Sequence, residues 1–263
     1  MLKIIDINEK RFKDITNRVY GEKTAESTIH PFLENGNEKI FKLFRTDKDT
    51  PINVDNKVKK MFLLNERLKN VDYVVKADNI IRYKDRIIGY TMEYKDGDIF
   101  TPLTFNKKNS IILLKEMSKK LKELHKLGIV CADIPGNILV DKDKNIFFID
   151  YDNFAIDNLQ VDTKSVFLQK YEEKTIEFDE RFDYYLFNLF TLSIIKKFYV
   201  CCIDFAYKEL PNKFKFKNKE INKIVENTFN LKNSNEKTSY NEDLIIDKIP
   251  IIYDGEKIKI KKF

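Results

Sequence analysis

Residues 128–154, GIVCADIPGNILVDKDKNIFFIDYDNF, hold the side chains best suited to chemistry. Asp133 precedes a Pro-Gly break and Asn137, and Asp150 follows the apolar run Ile146 to Ile149. The pattern predicts a short strand, a polar loop, a strand, a turn at Lys142 to Lys144 and a further strand, so that both carboxylates emerge at strand ends near one site. Hard oxygen donors of this kind suit Mg²⁺, which takes one or two carboxylates or amides and completes its octahedron with phosphate oxygens. Asn137 and Asp150 are the candidate metal ligands. Asp133 is left to orient an acceptor hydroxyl, a general-base contribution of about 10²- to 10⁴-fold.

Taken together, the segment resembles the catalytic loop of the protein-kinase-like superfamily running into its metal-binding Asp-Phe-Gly segment, with features of bacterial or phage members. Leu124-His125 and Gly128-Ile129 resemble the end of the family's long helix before that loop. FKLFR places Lys42 where the family's strand lysine holds nucleotide phosphates, and Glu66 is its expected ion-pair partner. ERFDYYLFNLFTLSII resembles the central helix of the second lobe, with Asp183 where a carboxylate braces the catalytic-loop backbone. Order and spacing agree from about residue 38 to 197. The resemblance implies a two-lobed α+β fold, with residues 1–95 a small antiparallel-sheet lobe and residues 96–263 a helical lobe ending in a hairpin. It also implies ATP and Mg²⁺ as cofactors and transfer of the γ-phosphoryl group to a hydroxyl of a protein or small molecule. A nucleotide-binding or scaffolding pseudokinase is the alternative.

The sequence departs from the family pattern at several places. Three residues, Ile134 to Gly136, separate Asp133 from Asn137 where the family has four. Cys131-Ala132 replace its His-Arg pair, removing the arginine that answers a phosphorylated loop. Asp150-Tyr151-Asp152 stands for Asp-Phe-Gly, which makes Asp152 an outside candidate for a second metal. TAESTIHPFLENGN, with one glycine, lies where the family has its glycine-rich loop, and Ser27 and Thr28 offer hydroxyl donors to phosphate there. No Ala-Pro-Glu follows Phe154.

The elements that must carry these residues are legible in periodicity. EKIFKLF alternates as a half-buried strand after the turn residues Asn35-Gly36-Asn37. Asn56 to Lys69 spaces Val58, Met61, Phe62, Leu64 and Leu68 as an amphipathic helix capped by Asp55 or Asn56. Asp72 to Arg82 and Arg86 to Tyr94 read as strands around a turn at Lys84-Asp85, and Gly97 marks a boundary. Ser110 to Leu127 is a helix with Ser110 as cap and Gly128 as stop, which places His125 at a packed apolar end. IPIIYDGEKIKIKKF reads as a hairpin turning at Asp254-Gly255.

Composition sets the outer limits. With 263 residues, 43% of them hydrophobic, the chain is long enough to bury one large or two modest cores. The net charge of +6 arises from 48 basic and 42 acidic residues mixed along the length, which fits solvated faces rather than a nucleic-acid groove. Three cysteines and two histidines give neither a disulfide ladder nor zinc spacing, so a reducing, cytoplasmic setting is expected. MLKIIDINEKRF does not read as a secretory signal. The apolar run Tyr184 to Ile195 is shorter than the roughly 20 residues of a membrane span and predicts a buried helix.

Overall fold

The alternation in EKIFKLF becomes the third strand of a five-stranded sheet. The computed structural model describes residues 2–20, 27–45, 53–134, 136–159, 179–197, 215–230, 243–249, 251–254 and 257–260. Pro135, the Cys201-Cys202 pair, Gly255 and most of the segment between Phe154 and Asp183 lie outside the described residues, as do Thr24 to Glu26 of the one-glycine stretch. The class is α+β. Backbone contacts divide the chain into two units: Met1–Gly97 with Phe147–Thr163, and Asp98–Ile146 with Lys164–Phe263.

In the first unit, β1 (Lys3–Asp6) and α1 (Glu9–Thr16) precede β2 (Ser27–Glu34), β3 (Asn37–Phe44), α2 (Val54–Arg67), β4 (Ala77–Tyr83) and β5 (Arg86–Glu93). The sheet order is β1-β4-β5-β3-β2. Only β1 runs parallel to its neighbour, pairing Lys3 with Asn79; the other ladders are antiparallel. Asn35 and Gly36 both take positive φ, 52° and 81°, the geometry of a two-residue hairpin turn. Lys84 and Asp85 do the same at the β4–β5 turn, at φ 49° and 60°.

Strand alternation gives the sheet two different faces. Ile15, Phe32, Phe41 and Ile81 form a buried cluster with Ile5 and Leu43 packed against it. Lys42, Phe44 and Tyr90 point the other way, while α2 packs against β4 and the turn at 151–156. β5 lies close to β3 at Gly89, where an added Cβ would sit 2.1 Å from the carbonyl oxygen of Lys42. That backbone contact requires glycine.

The returning stretch was expected in the second half of the chain, but it packs with the first. The physical reason is a backbone bridge: Phe148 N–H donates to Tyr73 O at 2.8 Å and Val75 N–H donates to Phe148 O at 2.9 Å. The same bridge explains why the run from Asp72 begins its sheet strand only at Ala77. β1 and α1 were not foreseen. The α2 cap is Asn53, whose side chain accepts from Asn56 N, rather than Asp55 or Asn56.

The second unit contains β6 (Asp98–Ile99), α3 (Lys107–Lys126), β7 (Ile129–Val130), β8 (Ile138–Val140), α4 (Glu180–Lys196), α5 (Lys219–Asn230) and the pair β11 (Ile251–Asp254) and β12 (Lys257–Ile260). Two short strands remain: β9 (Ile146–Phe148), within which the chain passes to the first unit, and β10 (Ala155–Ile156) inside that unit. β6 pairs antiparallel with β8, and β11 with β12 in the register of a hairpin. Ile111, Leu114, Met117, Leu121 and Leu124 are fully buried along α3. Its cap is Asn106, so the helix starts three residues before Ser110, whose hydroxyl instead donates back to Asn106 O at 3.0 Å. Gly128 ends the helix at φ 68°.

α4 packs on α3 and carries the apolar run Tyr184 to Ile195. Its buried Asn188 accepts from Ile245 N–H at 2.8 Å and donates to Asp243 O at 3.1 Å, which justifies an amide inside an apolar helix. Among the described residues no helix is long and apolar enough to cross a membrane.

Candidate functional site

In the first unit, the outstanding feature is a buried cluster of opposite charges. Lys42, on β3, is 2% exposed, and its ammonium donates to Asp150 Oδ1 and to Asp152 Oδ1, each at 2.9 Å. Asp152 is fully buried. Its Oδ1 also accepts from the Tyr90 hydroxyl at 2.7 Å, and its Oδ2 accepts from Lys57 Nζ at 2.7 Å. Lys57 donates further to Asn153 Oδ1 at 3.1 Å and lies 5.7 Å from the Phe44 ring centre. Four elements therefore meet on one carboxylate: β3, β5, α2 and the single turn Tyr151–Asn153.

The charge states follow from the geometry. Burial pushes the Lys42 ammonium toward its neutral form, but the carboxylates of Asp152 and Asp150 outweigh it and hold it above the ordinary lysine value. Burial likewise disfavours the Asp152 carboxylate, and Lys42 and Lys57 overcome this and hold it well below the usual range. Tyr90 is pushed up, by burial first and then by Asp152 and Asp150, so it stays a neutral donor. Asp150 has a left-handed backbone, φ 59° and ψ 35°, a conformation costing a non-glycine residue about 1–2 kcal/mol. Its side chain remains 33% exposed.

In the second unit, Asp183 is fully buried at the start of α4. It accepts from the backbone N–H of Cys131 and of Ala132, each at 2.7 Å, and meets His125 Nε2 at 2.9 Å. These bonds hold Ala132 at φ 61°, left-handed for a residue with a Cβ. His125 is thereby a packed, bonded residue, as its position at the apolar helix end predicts. One residue on, Asn137 Nδ2 donates to Asp133 Oδ2 at 2.9 Å and to Asp133 O at 3.0 Å. Asp133 and Asn137 thus share one tight loop, in which Gly136 takes φ 96°. The Cys131 thiol is held well above its usual value by burial and then by the charge of Asp183.

Of the residues singled out in sequence, Lys42 meets Asp150 in the first unit, and Asp133 meets Asn137 in the second. Glu66 corrects the expectation: it is exposed on α2, and Lys42 takes Asp150 and Asp152 as partners instead. Asp152 is no metal candidate either, since two ammonium groups and a phenol already occupy its oxygens. Thr28 is committed too. His30 Nδ1 lies 2.7 Å from Arg18 O and so must donate to it, while its Nε2 shares a hydrogen bond with the Thr28 hydroxyl at 2.8 Å.

Lys57 and Tyr90 escaped sequence reasoning, although Lys57 carried a signal. It stands at i, i+4, i+7 and i+11 with Met61, Leu64 and Leu68, in register with the core stripe, where a lysine needs a buried anion.

The donors present fit a hard cation. Among the described residues no group of three or more His, Cys, Asp or Glu side chains converges as a metal site. Mg²⁺ bound alongside phosphate needs fewer protein ligands than that. In the second unit, donation from Asn137 Nδ2 to Asp133 leaves the amide oxygen as a hard donor; in the first unit, the partly exposed Asp150 carboxylate is another. No family model matches the chain, and neither does any curated protein sequence.

Proposed function

We propose that the chain is an ATP- and Mg²⁺-dependent phosphotransferase of bilobal, protein-kinase-like architecture that passes a γ-phosphoryl group to a hydroxyl of a protein or small molecule in a reducing, cytoplasmic setting. The observation that carries this reading is the 2.9 Å pair between Lys42 and Asp150, residues 108 positions apart in sequence. A strand lysine and the carboxylate of the IDYD motif are the two charges such chemistry requires for phosphate and metal. The bracket from Asp183 to the backbone of Cys131 and Ala132 adds support, because it fixes the loop that presents Asp133.

In this reading Lys42 neutralises phosphate charge, and Asp150 and Asn137 ligate Mg²⁺. Bound Mg²⁺ supplies electrostatic stabilisation of the transferring phosphoryl group. Asp133, steadied by Asn137, orients the acceptor hydroxyl and accepts its proton.

Thermal melting with ATP, with and without Mg²⁺, tests the binding step, since a saturating ligand raises apparent stability by a few kcal/mol at about 100-fold excess over Kd. A Mg²⁺-dependent rise that Asp150→Asn abolishes supports the phosphotransferase. Asp133→Ala should then abolish turnover while sparing the rise. If ATP with Mg²⁺ produces no rise in the parent chain, the assignment falls and a scaffolding module takes its place.

A further inference from the structure

Resting on the reading of Lys42 as a phosphate contact, we propose that Asp152, clamped by Lys57 and Tyr90, is the positioning residue that sets the Lys42 ammonium, in place of a glutamate on α2.

Lys42 has two carboxylates, and they differ in how firmly they are held. Asp150 is 33% exposed and touches Lys42 through one oxygen. Asp152 is sealed from solvent and bonded through both oxygens to Lys42, Tyr90 and Lys57. The partners of Asp152 are themselves buried, Tyr90 and Lys57 each at most 1% exposed. Tyr90 stacks edge-on against Tyr151 at 6.1 Å, and Lys57 also holds Asn153. Asp152 is therefore the fixed reference for Lys42, and Asp150 is the carboxylate able to exchange toward a metal.

Helix geometry explains why Glu66 has no part in this. At about 100° per residue, nine residues separate Lys57 and Glu66 by half a turn, so the two project from opposite sides of α2. The side that faces the sheet carries Lys57. A helix cation cannot pair with a strand cation, so the anion between them has to come from elsewhere. It comes from the third position of Asp150-Tyr151-Asp152, the position where the family pattern has glycine. Lys57 and Asp152 thus form one device: the buried ammonium and the buried carboxylate pair at 2.7 Å, and each offsets part of the other's cost of leaving water.

The test measures Lys42 directly, in the full chain. Acylation by succinimidyl acetate, mapped residue by residue by mass spectrometry, reports how firmly the ammonium is held. Lys39, on the same strand and paired with Glu34 and Asp78, is the internal reference. Asp152→Asn should accelerate Lys42 acylation by about tenfold or more, the loss of one charged hydrogen-bond partner. Lys39 should be unchanged in that variant, and Lys42 unchanged in Glu66→Gln. An unaltered Lys42 rate in Asp152→Asn, an equal rise at Lys39, or a rise in Glu66→Gln overturns the inference.

Mg·ATP affinity adds a rescue. Asp152→Gly should weaken binding by about tenfold or more, and adding Lys57→Glu, which returns a helix carboxylate to Lys42, should recover most of it. A folded double variant no better than Asp152→Gly alone also overturns the inference. A parent chain that binds no Mg·ATP sinks the phosphotransferase reading, while the acylation rates still decide the role of Asp152.

Discussion

Replacing Asp183 tests whether the loop carrying Asp133 is held by one buried carboxylate. The side chain is wholly buried and takes three hydrogen bonds, from Cys131 N, Ala132 N and His125 Nε2. Asp183→Ala removes all three and leaves two backbone N–H groups without acceptors. At about 1–3 kcal/mol for each orphaned buried donor, the two peptide groups alone lose about 2–6 kcal/mol. The left-handed Ala132 adds strain of about 1–2 kcal/mol that the bonds no longer offset. Asp183→Asn is the graded control. Its one oxygen can keep Cys131 and His125, but its amide then faces the N–H of Ala132, so about half the loss is expected. The assay is native-state hydrogen exchange at the peptide spanning residues 128–134. A loss of about 4 kcal/mol accelerates exchange at Cys131 and Ala132 roughly a thousandfold, and Asp183→Asn should fall between variant and parent. Parent-like exchange in Asp183→Ala would refute the bracket.

Two further outcomes follow from particular contacts. Gly89→Ala drives a Cβ to 2.1 Å from Lys42 O, so β3 and β5 must separate. A cost of about 1–3 kcal/mol is expected, together with faster Lys42 acylation, and an unchanged melting temperature contradicts the close approach. Glu9 accepts from the Tyr83 hydroxyl, then from Lys84 and Lys13, and these bonds lower its carboxyl from 4.5 to about 2. A lowered carboxylate contributes stability in full above its unfolded value, and that contribution fades as pH falls from 4.5 toward 2. An NMR titration of the Glu9 side chain should therefore show a midpoint well below 4.5, and a midpoint at 4.5 removes the effect.

Most of the secondary structure was legible because it depends on short-range patterns. The β2–β3 turn, α2, the β4–β5 pair and the stop of α3 at Gly128 follow from alternation, helical spacing and glycine at positive φ. Caps were less legible, since Asn53 and Asn106 lie one and five residues before the first apolar positions and compete with other polar residues nearby. β1 and α1 were missed because Lys3–Asp6 is four residues long and pairs with β4, more than seventy residues away. The regrouping of Phe147–Thr163 with the first unit depends on the bridge between Tyr73–Val75 and Phe148, which no local pattern announces.

The candidate site shows the same limit at the level of single residues. Lys42, Asp133, Asn137 and Asp150 were singled out because their order along the chain is a pattern. Glu66 was chosen by the same logic and lies on the wrong side of its helix. What the pattern lacked was charge accounting. Lys57 and Lys60 interrupt the apolar stripe of α2, and both are buried to 1% exposure. Removing an ammonium from water costs several kcal/mol unless a carboxylate accompanies it. A buried helix lysine therefore predicts a buried acid somewhere else in the chain, and the acid that answers Lys57 is Asp152, at the place where a motif reader expects glycine. Two departures from a familiar pattern, a lysine on the helix and an aspartate in the turn, each look like decay when taken alone. Together they are complementary, because each charge supplies the counterion that makes the other tolerable, and both are spent on fixing Lys42.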